Sequence, residues 1–232
     1  MWNALNYLKI TIKSILDTVH IPFSLTLIDD GSKPEVIEYL KTIKPVDNLK
    51  YVYKIFHKTN KGIPVSSNDA IEISLKKGYE FTCFSNNDVY FSDNWLETLI
   101  NDIDKDKNIA MLNPLRTSRT TMYNSEYSTM HKLKSLKETN NWKKELEKFT
   151  GLPYTKFECF VKRIKRVNIY KGLEYIEFPD ILSNCVVLFR NDIYAKLDKQ
   201  IGGLIRKDFG KYGSDDANLT WNFITNGYKC AI

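Results

Sequence analysis

The sequence predicts an α/β fold in which a mostly parallel sheet carries helices on both faces. Three observations predict it. Apolar runs of strand character alternate with segments of helical periodicity over the first half of the chain. Those runs end on turn formers or acids rather than fading into polar tracts. The chain, 232 residues at 43% hydrophobic composition, is long enough for one sizeable core. Strands and helices in strict alternation pack as parallel strands joined by right-handed crossovers. One domain over residues 1 to 232 is expected.

The elements follow in order. Leu5, Leu8, Ile12, Ile15, Leu16 and Val19 recur at three- and four-residue steps, the spacing of an amphipathic helix. FSLTLI is a strand. DDGSKPEVIEYLKTI is a turn and then a helix over 34–43, with Ser32-x-x-Glu35 as a capping box and Pro34 tolerated in the first turn. LKYVYKIF is a strand, PVSSNDAIEISLKKG a helix closed by Gly78, EFTCFSN a strand, DNWLETLINDID a helix and NIAMLNPL a strand. Residues 117 to 180 break the rhythm with a Ser/Thr/Tyr-rich loop, a Lys/Glu helix and a basic stretch, as an insertion between strands would. The pattern then resumes with the strand ILSNCVVLFR, the helix NDIYAKL, the turn IGG and a helix from Ser214 to Asn226 stopped by Gly227. YKCAI resembles a strand cut short, and the first helix lacks a strand before it. A chain truncated at both ends is therefore expected.

Composition narrows the function classes. No apolar run approaches the roughly eighteen residues of a membrane span, and the start has no signal-peptide layout, so a cytoplasmic protein is expected. Cys83, Cys159, Cys185 and Cys230 are far apart without a CxxC, which favours buried free thiols over a metal cluster or a disulfide scaffold. Net charge is +6 overall, but residues 131–171 hold twelve Lys/Arg against four Glu, so the rest of the chain is net acidic. That basic segment suits a solvated helix face, a phosphate-bearing acceptor or peripheral contact with anionic lipid. Nucleic acid is disfavoured, because the aromatics do not recur as a stacking platform.

Three polar motifs interrupt the apolar pattern where chemistry would sit. Open parallel sheets bind ligands beyond the carboxyl ends of their strands, and two of the motifs fall there. They are Asp29-Asp30-Gly31-Ser32 after FSLTLI and Asn86-Asn87-Asp88 after EFTCF. Such oxygen donors can hold Mg2+ or Mn2+ and hydrogen-bond a ribose or a base. The third is the pair Asp215-Asp216 opening the last helix, where the helix dipole favours an ionised carboxylate that could serve as a general base. Each motif alone also has a plain structural reading as a turn or a cap.

Taken together, LTLIDDGS, NKGIPVSSNDAIEISLKKGYEF, FSNNDVYFSDNWLETL, LSNCVVLFRNDIYAKL and IGGLIRKDFGKYGSDDANLTWNFITNGYK resemble the family 2 inverting, nucleotide-sugar-dependent glycosyltransferases of GT-A (Rossmann-like) fold. The resemblance covers most of residues 5–116 and 181–232, in the family's order. It implies that Asp30, with Asp29, meets the nucleotide base, and that Asn60, Gly62 and Asn68 form the NxGxxxxxN segment against the nucleoside. Asn86-Asn87-Asp88 stands in the place of the DxD motif, with Asp88 on the divalent ion, Mn2+ or Mg2+, and Asn86 and Asn87 beside the ribose or the ion's water. Gly202 and Gly203 line the donor-sugar or acceptor floor. Asp216 is the implied catalytic base, and Asp215 holds the acceptor. The implied partners are a nucleoside-diphosphate sugar donor and a carbohydrate or lipid- or phosphate-linked acceptor.

Departures accompany the match. The first acid of DxD is an amide, and neither the family's first strand nor its downstream metal-ligating His is present. His20, His57 and His131 adjoin none of the motifs and are expected on the surface. A sugar-phosphate nucleotidyltransferase and a non-catalytic sugar- or nucleotide-binding module are the alternatives.

Overall fold

The computed structural model describes Asn3 and residues 5–114, 173–178, 181–182, 184–206 and 215–232. Residues 1–114 and 173–232 form one compact unit. The basic segment 131–171, His131, Cys159 and nearly all of the expected insertion lie outside the described residues.

The described elements run α1 (Leu5–Thr18), β1 (Phe23–Asp30), α2 (Pro34–Thr42), β2 (Leu49–His57), α3 (Ile63–Lys76), β3 (Phe81–Ser85), α4 (Trp95–Ile103), β4 (Ile109–Leu112), β5 (Tyr175–Ile176), β6 (Val186–Arg190), α5 (Asn191–Ile201), α6 (Asp215–Thr225) and β7 (Lys229–Ala231). Every strand and helix expected from periodicity is found within a few residues of its place, apart from those in the insertion. The capping box is the exception. Lys33 is the N-cap of α2 and no side chain caps it. Asp29 Oδ2 accepts the Ser32 N–H at 3.1 Å, while the Ser32 hydroxyl accepts from the N–H of Asn3.

Strand directions are mixed. β1 and β2 pair in parallel as a two-stranded sheet, and the remaining strands form a sheet of order β3-β6-β4-β7-β5. β4 and β7 are parallel, but β6 lies antiparallel between β3 and β4, and β5 antiparallel to β7. β6 reads VVLFR and every residue of it is buried, because helices cover both of its faces. Val187 and Phe189 pack with Ile193 and Tyr194 of α5 and Leu219 and Phe223 of α6. Leu188, one residue out of phase, packs with Leu99 and Ile103 of α4. This period of two is what pleated backbone demands.

Polar anchors fix the sheet's far edge. Thr82 of β3 donates to Asn191 Oδ1 (2.7 Å), and Asn191 Nδ2 donates to Ser74 Oγ and to the Tyr79 carbonyl, tying α3, β3 and α5 together. Burial pushes the Cys83 and Cys230 thiols up to about 12, and Cys83, Cys185 and Cys230 are all free. Among the described residues no helix is long and apolar enough to cross a membrane.

The β1–α2 turn brings two motifs into contact at Gly31. Its φ is +77°, and a Cβ built there would lie 2.8 Å from the Thr59 carbonyl carbon and 2.9 Å from the Asn60 nitrogen. Both are backbone atoms, so neither can swing aside. We expect Gly31→Ala to destabilise the protein by more than the ~1–2 kcal/mol of a left-handed L-residue alone. Gly227→Ala is the control, since φ is +84° there and a Cβ meets nothing within 4 Å. Equal losses of melting temperature for the two variants would show that the contact at Gly31 carries no weight.

Candidate active site

The carboxyl ends of β1 and β3, the start of α3 and the start of α6 open onto one cavity of about 1120 Å3. Asp30, Asp88 and Asp216, separated by 58 and 128 positions in the chain, all line it. So do Asn60 and Gly62 from the segment after β2 and Asn86 and Asn87 from the segment after β3. Asp29, Asn68, Gly202 and Gly203 are not among the lining residues.

Asp30 is the most heavily engaged of the acids. Its carboxylate is buried; Oδ1 accepts the Lys61 N–H and Oδ2 the Gly62 N–H, both at 2.8 Å. His57 Nδ1 lies 2.8 Å from Asp30 Oδ1, and His57 Nε2 lies 2.9 Å from Asp69 Oδ2. Burial pushes the Asp30 carboxyl up, but the Lys61 amide, His57 and the Gly62 amide outweigh it and hold the group below the ordinary carboxylate range. The acid thus pins the NKG loop to the end of β1. Gly62, with φ +92°, is the N-cap of α3 and lets the loop turn tightly enough for consecutive amides to reach one carboxylate.

The expectation that His57 lies on the surface is overturned: it is buried. The reason is its place at the last position of β2, in register with Asp30 on β1, with a second carboxylate from α3 on its other nitrogen. The signal available in the sequence was its position at a strand end directly before the NKG loop, with Asp69 twelve residues on, within the helix. His20 is exposed, beside Asp93, as expected.

Among the buried polar atoms of the cavity-lining residues, Asn60 Oδ1, Ser66 Oγ, Asn87 Nδ2 and Trp95 Nε1 have no partner among the described residues. Buried polar groups are almost always satisfied, so these mark where a polar ligand would supply hydrogen bonds. Ser66, on the first turns of α3, was not singled out by sequence reasoning. Asn68, two residues further and so on another side of the helix, is committed elsewhere. Its Nδ2 donates to Pro64 O (2.7 Å) and Ile205 O (2.9 Å), clamping α3 to the chain after α5.

Asn86 donates its N–H to the Cys185 carbonyl at 2.8 Å, which docks the β3 turn against the start of β6. Asp88 follows as an exposed carboxylate at the cavity edge. Asn184, next to Cys185, donates its N–H to Asp216 Oδ1 at 3.1 Å. Asn184 also lines the cavity, and its motif LSNC hinted at this only through its place in the pattern. Gly202 caps α5 with φ +81°, and Gly203 has φ +127°. Leu204 N–H returns to Asp198 Oδ1 at 2.7 Å, completing the turn. Asp215 is the first residue of α6.

The donor set bears on a metal ion. Among the described residues no three His, Cys, Asp or Glu side chains cluster closely enough to hold one. Asp88 with the amide oxygens of Asn86 and Asn87 offers only hard donors, and few of them. That suits Mg2+ or Mn2+, which commonly take one or two carboxylates and complete their shell with water and substrate phosphates.

Comparisons with known proteins agree with this architecture. The family described as "Glycosyl transferase family 2" matches residues 1–173. An uncharacterized glycosyltransferase of Rickettsia conorii, RC0461, is 30% identical over 93 residues, covering 40% of this chain and 14% of that protein. Among solved structures, mannosyltransferase PcManGT from Pyrobaculum calidifontis, in complex with GDP-Man and Mn2+, superposes with a TM-score of 0.59 at 11% identity, over 99% of this chain and 51% of that one. GalNAc-T7 with UDP, GalNAc and Mn2+ gives 0.55 at 13% identity, over 95% and 38%. The chain therefore spans about half or less of each of these relatives. The GT-A-like α/β class expected from the sequence holds.

Proposed function

Because the chain belongs to glycosyl transferase family 2, we propose that it moves a sugar from a nucleoside-diphosphate donor to an acceptor hydroxyl with inversion at the anomeric carbon. One observation carries the reading: carboxylates at positions 30, 88 and 216, remote in sequence, line a single cavity beside unpartnered amide and hydroxyl groups. Structural turns and caps would have no reason to converge.

In this reading the nucleoside lies between the end of β1 and the start of α3. Asn60 Oδ1 and Ser66 Oγ receive its polar groups, and Asn87 Nδ2 donates to an oxygen of the ribose or base. Asp30 acts by holding the Lys61–Gly62 backbone in place, and Asp29 holds the β1–α2 turn through the Ser32 N–H. Gly202 and Gly203 act from behind the cavity by turning the chain after α5, Asn68 holds α3 to that chain through Ile205, and Asp215 holds the acceptor. Asp88 and the amides of Asn86 and Asn87 would hold a divalent ion, which would offset the negative charge of the diphosphate. Asp216 takes the proton from the acceptor hydroxyl as its oxygen bonds to the anomeric carbon. The bond from that carbon to the diphosphate breaks, and the nucleoside diphosphate leaves with the electron pair.

A thermal-shift screen of nucleoside diphosphates tests donor binding. A ligand at a hundred times its Kd stabilises by about 2.7 kcal/mol, and the rise in Tm should need Mn2+ or Mg2+. Asp88→Asn should remove the metal-dependent part of the shift; an undiminished shift in EDTA would exclude the metal role.

We place the reaction in the cytoplasm, with the basic segment 131–171 meeting a phosphate-bearing or membrane-held acceptor. Its charge supports this. The protein should sediment with anionic vesicles at low salt and be released by about 0.5 M salt, where screening is nearly complete beyond a few ångströms. Binding indifferent to salt or to lipid charge would remove the proposal.

A further inference from the structure

The unpartnered Asn60 Oδ1 and Ser66 Oγ stand on two adjoining pieces of chain, the NKG loop and the first turns of α3. A ligand that bonds both atoms at once needs the two pieces held to within about 0.5 Å of one geometry. Gly62 joins them, and glycine restrains its own backbone least of all residues. The spacing therefore has to be fixed from outside the joint.

The loop is fixed by Asp30, whose two oxygens accept the Lys61 and Gly62 amides. The helix is fixed at two successive residues that point about 100° apart around its axis. Asn68 donates to Ile205 O at 2.9 Å, and Asp69 Oδ2 meets His57 Nε2 at 2.9 Å. Asp69 lies one turn beyond Ser66 on the same flank of α3. The other nitrogen of His57 lies 2.8 Å from Asp30 Oδ1, the oxygen that also accepts the Lys61 N–H. One ring, buried at the end of β2, thus spans the acid that fixes the loop and the acid that fixes the helix. In its imidazolium form a histidine donates from both nitrogens, and that is the form that satisfies two acids at once. Neither His57 nor Asp69 lines the cavity.

We propose that His57 is a positioning residue, which, on the glycosyl-transfer reading, sets the spacing of Asn60 and Ser66 for the nucleoside by tying Asp69 of α3 to Asp30 of β1. It acts through its two acids and meets no substrate, so β2 takes part in donor binding without presenting this side chain to the donor. A sharp consequence follows for Asp69. No hydrogen bond among the described residues joins it directly to Lys61 or Gly62, yet a change at Asp69 should be felt at those two amides, and only while His57 is present.

The test uses the full 232-residue chain as wild type, His57→Gln, Asp69→Asn and the double variant, with backbone amide exchange followed by NMR in the absence of nucleotide. A Gln amide donates from its nitrogen alone, so it can serve one acid and turns its oxygen on the other. Exchange of the Lys61 and Gly62 amides should speed by about tenfold in each single variant, the effect of losing one hydrogen bond to a charged group. The double variant should exchange like the single ones, because both substitutions break the same link. The Phe189 amide in buried β6 should be unchanged, which separates a displaced loop from general loosening. Asp69 is 28% exposed, so Asp69→Asn carries the test even where His57→Gln does not fold. In calorimetry with UDP and with GDP, each with Mn2+ and at a temperature where every variant is folded, the Kd of the nucleotide bound by wild type should rise about tenfold in the single variants. Unchanged loop exchange in Asp69→Asn would overturn the proposal. So would effects of the two substitutions that multiply in the double variant, or faster exchange with an unchanged Kd. Wild-type protein that binds neither nucleotide would sink the glycosyl-transfer reading instead, and the exchange rates would still decide whether His57 couples the helix to the loop.

Discussion

Replacing Asp216 by Asn should lower the rate of sugar transfer by about 10²–10⁴-fold, the range that a positioned general base contributes, while leaving the protein folded. The geometry favours a clean experiment. Asp216 Oδ1 accepts the Asn184 N–H, and an Asn amide oxygen can accept the same bond. The Thr220 hydroxyl, which donates to the Asp216 carbonyl, is untouched. Donor binding should change little, so kcat should fall with KM for the donor nearly constant, as when an interaction made only in the transition state is lost. The anomeric configuration of the wild-type product, followed by NMR from the first turnovers, checks inversion independently. Full activity in Asp216→Asn would remove the base from position 216, and a retained configuration would remove the single-displacement mechanism altogether.

How far the sequence reaches is best seen at particular residues. The convergence of Asp30 and Asp88 was legible because positions at or just past strand ends in an alternating α/β chain share a rim whatever the details of the sheet, whereas Asp216, at the start of a helix, was joined to them only by the resemblance. The reversed direction of β6 was not legible. An apolar run such as VVLFR has the same composition parallel or antiparallel, and its direction depends on how the chain returns after residues 115–172. The burial of His57 was hidden for a related reason. Its place just before the NKG loop was a hint, but nothing local tells which strand neighbours β2 or that an acid there stands in register with it. Asn68 and Ser66, two residues apart on α3, illustrate the limit of motif matching. The asparagine within the recognised pattern is occupied with Pro64 and Ile205, and the serine outside it presents an unpartnered hydroxyl to the cavity. The capping box failed on similar grounds, since the Ser32 N–H is already taken by Asp29.

The second large effect is expected at Asp30. Truncation to Ala would leave the Lys61 and Gly62 amides and one nitrogen of buried His57 without their acceptor. Leaving a buried donor without its acceptor costs about 1–3 kcal/mol, and several are left at once, together a large share of a typical total of about 5–15 kcal/mol. At roughly 2–4 °C per kcal/mol for a domain of this size, the melting temperature should fall by roughly 10 °C. Acid gives a second reading of the same contacts. The folded-state pKa of Asp30 is lowered, so its contribution to stability is fully present above the unfolded value of about 3.9. It is lost as pH falls through the folded value. The wild-type protein should therefore lose part of its stability below about pH 4, whereas Asp30→Asn, already weaker at neutral pH, should show a flatter acid limb in urea titrations. Parallel acid limbs for the two proteins would mean that the carboxylate is not the group holding the loop. Because Gly62 opens α3 and Asn60 precedes it, releasing this anchor should also weaken nucleotide binding without touching any group that meets the nucleotide.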